Sequence, residues 1–288
     1  MFQGIWAHKF SPERLNTEIE VGFEQVQAAN HIFNETVPGI VFPTNVAFGE
    51  LLEKENIIKT VSARARKQNL TMGVRVYDCH TAMAQAETGH FEMIRNLVAL
   101  YDFIICQMIP PAANYSLGPE RFFKEITKEF SEIVKAVKLI GNGTQVILES
   151  GWACASNESN SKETTELKWF WERMGQWANA EKQNVFMADA FDNPWKNAAN
   201  QLAAHYGLWM HLDTDNNSKE AYVRKVPDLH IQKYRKPQPP PISVGLDGNN
   251  KTKTATKSQV SEGHAGSNKT TVKPKLYYAT RNGADAWK

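Results

Sequence analysis

A single carboxylate stands at the end of an apolar run in the middle of the chain. Val146-Ile147-Leu148 leads directly into Glu149-Ser150-Gly151-Trp152. A short apolar run of this kind is typical of a buried strand. An ionised carboxylate there is costly unless it is paired or faces a polar cleft. Glu149 is therefore predicted to have a catalytic or binding role, and a structural ion pair is the alternative.

Other polar and aromatic residues follow the remaining apolar runs, and these are Trp6, Asn45, Tyr77 with Asp78, Gln107, Asp189, Phe191 and Asp192. Carboxylates beside aromatic rings suit sugars, because the apolar face of a sugar stacks on a ring while its hydroxyls bond to polar groups. The reaction class that this set indicates is glycoside hydrolysis, which uses two carboxyl groups. Asp192 has a structural alternative as a turn cap before Asn193-Pro194.

The histidines do not cluster, and no Cys–His pair follows these runs. The sequence therefore predicts neither a metal site nor a cofactor. We interpret His80, His205 and His211 as surface or core residues that form hydrogen bonds. The cysteines are three, an odd number, and far apart. That pattern favours packing thiols over a disulfide set or a metal knuckle.

The elements that must position these residues alternate between strand and helix. The predicted strands are Phe2–Ala7, Gly39–Phe42, Thr71–Tyr77, Phe103–Met108, Gln145–Leu148 and Val185–Ala190. They show little polar alternation, as expected of strands buried on both faces of a parallel sheet. Helical stripes lie between them, such as Ile19, Phe23 and Val26 after an N-cap at Ser11 and a proline at Pro12.

Strand–helix alternation about every 35 residues indicates βα units and an α/β fold. The first strand lacks a nucleotide-binding fingerprint, which argues against a dinucleotide fold. The predicted class is the (β/α)8 TIM-barrel family, with about six βα units present as strands 3–8. We expect the missing front units, with any signal peptide, to precede residue 1.

Composition divides the chain into residues 1–234, a barrel incomplete at its N-terminus, and residues 235–288, a Pro/Ser/Thr/Asn/Lys-rich and mostly disordered tail. The net charge of +2 gives no case for nucleic acid as a partner. The chain has no run of eighteen apolar residues, so the sequence predicts no membrane span.

Asn-x-Ser/Thr sequons begin at Asn34, Asn69, Asn114, Asn142, Asn157, Asn216, Asn250 and Asn268. This excess indicates a secreted or cell-surface glycoprotein, and simple asparagine richness is the alternative.

Over about residues 2–212 the sequence resembles glycoside hydrolase family 17, the endo-1,3-β-glucanase family. Phe2–Trp6, Val146–Trp152 and Ala190–Lys196 followed by His205–Trp209 carry the resemblance. It implies a retaining enzyme with Glu149 as nucleophile and β-1,3-glucan as partner. It also implies that Trp152, Phe191 and Trp195 line sugar subsites, that Asp192 and Lys196 join the hydrogen bonds around the nucleophile, and that Tyr77 faces the cleft.

The sequence departs from the family at its acid/base position. The family's fourth strand ends in Asn-Glu, whereas this chain has Asn45-Val46 there, with Glu35 before the strand and Glu50 after it. A bulge or a shifted register would change this alignment. Asn193 also replaces an acidic residue. A retaining enzyme needs two carboxyl groups about 5–5.5 Å apart, so impaired activity is expected.

Two functions therefore remain open. The first is hydrolysis or transglycosylation of β-1,3-glucan. The second is glucan binding without catalysis, by a lectin-like relative of the enzyme that keeps Trp152 and Trp195.

Overall fold

The computed structural model describes residues 2–6, 11–34, 36–79, 91–110, 112–140, 143–155, 161–193, 201–211, 222–226, 229 and 276–278. The strands are β1 Phe2–Trp6, β2 Gly39–Val46, β3 Thr71–Val76, β4 Phe103–Gln107, β5 Gln145–Ser150, β6 Asn184–Met187, β7 Trp209–His211, β8 Tyr222–Arg224 and β9 Leu276–Tyr278. The α-helices are α1 Pro12–Ile32, α2 Phe48–Glu53, α3 Glu55–Lys67, α4 Phe91–Val98, α5 Pro119–Ile140 and α6 Lys162–Ala180. Short 3₁₀ helices cover Ala112–Leu117 and Gln201–Ala204.

The strands β1 to β6 lie side by side in chain order and are all parallel. Helices alternate with these strands along the chain, so the fold is a partial (β/α) barrel, as the sequence predicts. β9 adds a short parallel strand beside β6, and β7 and β8 form a separate antiparallel pair.

Contacts between distant strands show that the sheet curls. The ring of Phe2 in β1 lies 4.7 Å from that of Phe103 in β4 and 6.5 Å from that of Phe186 in β6, measured between centroids. Strands in a flat sheet are about 4.8 Å apart, which would leave these rings far from each other. They meet because one face of the sheet is concave, and we call this the inner face.

The inner face carries an apolar cluster at its centre. Val41, Phe103, Ile105 and Ile147 pack together there, with Phe2 and Phe186 against them. Gly73 makes room for this packing, because a Cβ at that position would lie 2.0 Å from the Phe103 ring. The centre is therefore filled with side chains, and any open site must lie at the strand ends.

Helix α1 shows how local sequence sets an element. Ser11 caps it, with Oγ accepting a hydrogen bond from the Arg14 backbone N–H at 3.3 Å, and Pro12 occupies the first turn. The predicted stripe is confirmed, since Ile19, Phe23 and Val26 are buried.

The interpretation of the cysteines as packing thiols is wrong for two of the three. Cys79 and Cys106 form a disulfide, with 5.7 Å between their Cα atoms. Val76, the last residue of β3, pairs with Cys106, so a cysteine three residues beyond it comes within bonding reach. Sequence spacing could not reveal this, because the pairing depends on β3 and β4 being neighbours. Cys154 is a buried free thiol.

The chain divides into one unit of Met1–Pro227 with Pro274–Lys288, and a second of Asp228–Lys273. In the second unit the structure describes Leu229, which is buried. The predicted tail, 235–288, lies outside the described residues except for β9. Its disorder and the boundary at residue 234 stay predictions. No helix in the described part of the chain combines the length and apolarity needed to cross a membrane.

Candidate active site

Glu149 lies on the inner face at the carboxyl end of β5. It pairs with Gln107 of β4, and Ile147, two residues earlier on the same face, belongs to the apolar cluster. Side chains two residues apart in a strand share a face, so Glu149 sits directly above that cluster. The carboxyl ends of parallel strands are the usual place for a site in (β/α) barrels.

Arg75 of β3 is the ionic partner of Glu149. Its Nε donates to Oε2 of Glu149 at 2.5 Å and its Nη2 donates to Oε1 at 2.6 Å, so the pair is bidentate. Gln107 Nε2 adds a longer hydrogen bond to Oε1 at 3.4 Å. The side chains of Arg75 and Glu149 are only 23% and 12% exposed. The ion pair foreseen as an alternative is therefore present, and it lies at the carboxyl edge where a site is expected.

The neighbours of Arg75 stabilise its positive charge. Burial alone would lower the pKa of the guanidinium, but attraction to Glu149, the hydrogen bonds to Glu149 and attraction to Asp189 together raise it. Arg75 therefore stays cationic throughout the range in which proteins fold, bonded to Glu149 and attracted to Asp189.

Asp189 lies just beyond β6, beside the segment that carries Glu149. The Ala188 N–H donates to the Ser150 carbonyl at 2.9 Å. A Cβ on Gly151 would lie 2.0 Å from the Ala188 carbonyl oxygen, so only glycine permits this close approach. Asn193 Nδ2 donates to Asp189 Oδ2 at 2.6 Å. Asn193, which stands where the sequence resemblance leads one to expect an acidic residue, thus holds the Asp189 carboxylate.

Val46 does not lie on the face that carries Glu149. Thr44 pairs with Arg75, whereas Val46 pairs with Val76, which points to the opposite face from Arg75. The register shift between Thr44 and Val46 is a bulge that produces this change. Val46 is fully buried there. The alignment that placed it at the acid/base position of the inner face is therefore not supported by the register.

Glu50 lies in the first turn of α2 and folds back toward the ends of β2 and β3. Its Oε1 accepts from the Ala47 N–H at 3.5 Å and from the Tyr77 hydroxyl at 3.4 Å. Tyr77 is 46% exposed. Partial burial and the charges of Glu50 and Asp78 raise the pKa of its hydroxyl. Tyr77 and Gln107 line a cavity of about 250 Å³ between the ends of β3 and β4 and helix α5, which contributes half of the lining residues.

Trp152 is placed in the core. It is 1% exposed and packs between Tyr115, whose ring centroid is 4.5 Å away, and Phe122 and Phe170 at about 6 Å. Its ring faces are covered by these neighbours, which favours a packing role over the expected sugar platform. Phe191 is half-buried and lies 6.5 Å from the ring of Trp209, which is 38% exposed.

Asp192 is buried and belongs to a hydrogen-bonded cluster of its own. Lys225 Nζ donates to Asp192 Oδ1 at 2.7 Å, and the Gly207 N–H donates to the same oxygen at 2.9 Å. His205 Nδ1 lies 3.4 Å from Oδ2. These partners give Asp192 a structural role, which is closer to its turn-cap alternative than to the expected network around Glu149.

Several predicted site residues lie outside the described part of the chain. Trp195 and Lys196 are not described, nor is Glu35. Trp6 and Asn45 end or nearly end β1 and β2, but the structure describes only their backbone. Among the described residues, no group of three His, Cys, Asp or Glu side chains could hold a metal ion.

Sequence reasoning missed Arg75 and Lys225. Arg75 could have been found from the sequence, because it is a charged residue within the apolar strand Thr71–Val76, just as Glu149 is a charged residue near the end of β5. Lys225 carried none, because its environment is formed by segments distant in sequence.

No protein-family model matches the sequence, and no curated protein matches it. Among solved structures, it is similar to a glycoside hydrolase family 17 β-1,3-glucanosyltransferase from Rhizomucor miehei. That alignment has 13% identity and a TM-score of 0.49, and covers 69% of this chain and 68% of the other. A dihydropteroate synthase from Anaplasma phagocytophilum aligns at 11% identity and a TM-score of 0.36, covering 69% of this chain and 81% of the other. Both TM-scores are below 0.5, so we infer no function from either.

Proposed function

We propose that this protein acts on β-1,3-glucan by a retaining mechanism, with Glu149 as the nucleophile. The observation that carries the proposal is the position of Glu149, an oriented carboxylate at the carboxyl edge of the inner face of a partial (β/α) barrel. The resemblance of Val146–Trp152 to a glucanase nucleophile segment supports the same role.

The contacts of Glu149 suit a nucleophile in two respects. The two hydrogen bonds from Arg75 fix the plane of the carboxylate, which orients the oxygen that attacks. Oε2 accepts one of these hydrogen bonds, from Arg75 Nε, and a carboxylate oxygen has two lone pairs, so Oε2 is the oxygen placed to attack. Gln107 is placed to donate to the same oxygen as Arg75 Nη2 and to restrain it further.

Non-catalytic glucan binding is the second candidate. It is favoured by the two hydrogen bonds from Arg75, which engage both Glu149 oxygens, and by the position of Val46 away from the inner face. In this case the paired charges and Gln107 would bind sugar hydroxyls.

A sedimentation assay with insoluble β-1,3-glucan separates the two candidates. Wild type, Glu149→Gln and Glu53→Gln would each be incubated with the polysaccharide, and released sugar and pelleted protein would be measured. Glu53 is an exposed carboxylate at the end of α2 and provides the matched control. Release that disappears only in Glu149→Gln supports the enzyme. Binding without release supports the binder, and neither binding nor release contradicts both.

We further propose that the protein is extracellular. The Cys79–Cys106 disulfide is of a kind that persists in oxidising compartments, and the sequons at Asn34 and Asn69 are exposed next to turns. Expression through a eukaryotic secretory pathway should give a glycoprotein whose mass falls on treatment with a peptide N-glycosidase. An unchanged mass would contradict glycosylation.

A further inference from the structure

We propose that Asp189 is the second carboxylate of this site and acts as the acid/base partner of Glu149. The inference rests on the proposed function for the reaction itself. Retaining hydrolysis needs a second carboxyl group near the nucleophile. Val46, where the resemblance places that group, pairs on the opposite face of the sheet. Asp189 comes instead from the segment just beyond β6, the strand beside β5.

The backbone holds Asp189 firmly beside Glu149's segment. Ser150 pairs with Met187 in the ladder, and the next hydrogen bond runs from the Ala188 N–H to the Ser150 carbonyl. The Asp189 N–H donates to the Tyr206 carbonyl at 3.0 Å, and its own carbonyl accepts from the Leu208 N–H at 3.2 Å. A residue bonded on both sides in this way presents its carboxylate from a fixed position, as acid/base catalysis requires.

The guanidinium of Arg75 interacts with both Glu149 and Asp189. Arg75 bonds directly to Glu149, and it is also attracted to Asp189. In this proposal Glu149 keeps the two hydrogen bonds from Arg75, and Asp189 carries the proton that the reaction needs. Asn193 Nδ2 donates to Oδ2 of Asp189 at 2.6 Å, which restrains the orientation of this carboxylate.

Tyr206 is a titratable neighbour of Asp189, since its carbonyl accepts a hydrogen bond from the Asp189 N–H. Burial, followed by the neighbouring Tyr115 and the charge of Asp189, raises the pKa of Tyr206 well above its usual value. The phenol is therefore neutral at any pH where the protein is folded. Its proton is therefore not the one that Asp189 exchanges.

The two steps balance as follows. In the first, a Glu149 oxygen forms a bond to the anomeric carbon, the glycosidic bond breaks, and the leaving oxygen takes the proton of Asp189. Glu149 is then an uncharged ester, so Arg75 has Asp189 as its carboxylate partner and stabilises it in the ionised form. In the second, Asp189 takes a proton from water, whose oxygen attacks the anomeric carbon, and Glu149 leaves as a carboxylate.

Kinetics with two classes of substrate test this role. Asp189→Asn should lower kcat on β-1,3-glucan about 10²–10⁴-fold, but should slow glycosyl-enzyme formation from an aryl β-glucoside with a good leaving group far less. Azide should restore its turnover and give a glycosyl azide of retained configuration. Glu53→Gln should match wild type. Wild-type rates in Asp189→Asn, or this same rescue pattern in Glu50→Gln, would overturn the proposal.

A titration that needs no activity separates this inference from the proposed function. Carboxyl ¹³C NMR would follow Asp189 in wild type and in Glu149→Gln. We expect the pKa of Asp189 to fall in Glu149→Gln, because the Glu149 carboxylate no longer competes with Asp189 for Arg75. An unchanged pKa would overturn the coupling between the two residues. A wild-type chain inactive on every β-glucan would contradict the proposed function, and this titration would still decide the coupling.

Discussion

At the scale of single residues, the site depends on a charge pair that is mostly removed from water. Arg75 and Glu149 satisfy each other through two short hydrogen bonds, with Gln107 adding a third. A pair of this kind contributes little net stability over apolar side chains, but removing one partner leaves the other charged and desolvated. The pair is therefore best suited to fixing the position of Glu149.

Arg75→Met should lower the free energy of unfolding by about 3 kcal/mol, because it leaves the Glu149 carboxylate without a cation. Arg75→Lys keeps the charge and should lose less than half of that. Arg75→Met combined with Glu149→Gln should recover part of the loss, since no unpaired charge remains. Urea unfolding at neutral pH measures all three, and an Arg75→Met variant as stable as wild type would contradict the importance of the pair.

At the scale of elements, the ends of the strands decide which side chains meet. Alternation along β3 and β5 carries Arg75 and Glu149 onto the inner face, while the bulge in β2 carries Val46 off it. Just beyond the strands, the Cys79–Cys106 disulfide ties the end of β3 to β4, next to Tyr77 and Gln107.

Val46→Glu should destabilise the protein and should not create activity. The new carboxylate would be buried on the face opposite Glu149, at an expected cost of about 3 kcal/mol. Val46→Thr, which keeps the shape of the side chain, should cost less. Thermal unfolding and glucan hydrolysis would be measured together. A gain in hydrolysis would show that Val46 occupies the acid/base position after all.

Replacing both Cys79 and Cys106 by serine should lower the free energy of unfolding by about 3.5 kcal/mol. The reason is that the disulfide closes a loop between residues 27 apart and so restricts the unfolded chain. Cys154→Ser, at the buried free thiol, is the control for simple loss of a thiol. Equal stability of the double variant and wild type under oxidising conditions would contradict the disulfide.

At the scale of the whole molecule, segments far apart in sequence close around the sheet ends. The fully buried Lys225, next to β8, donates to the carbonyls of Cys154 and His205 and to the carboxylate of Asp192. It thereby connects the segment that follows β5, just beyond Glu149, with the segment that follows β6, which carries Asp189.

Lys225→Met should lower the free energy of unfolding by about 3–5 kcal/mol, because Asp192 would keep a buried charge without its cation. The double variant Lys225→Met with Asp192→Asn should recover at least half of the loss. Urea unfolding gives both values. A loss below about 1 kcal/mol in the single variant would show that Asp192 finds another partner.

The local pattern of the sequence was enough for most of the framework. Apolar runs located β1 to β6, and the cap at Ser11 with the stripe through Phe23 located α1, because periodicity and capping act over a few residues. The end of an apolar strand also marked Glu149. These features depend on neighbours along the chain, so they could be read without a fold.

Only the tertiary structure decided which side chains are in contact. Arg75 and Glu149 are 74 residues apart, and their contact requires the curl of the sheet and the register of three strands. Register also moved Val46 to the other face, joined Cys79 to Cys106 and brought Lys225 to Asp192, while helix packing buried Trp152. Each outcome depends on a long-range alignment in which a shift of one residue reverses the face of a side chain.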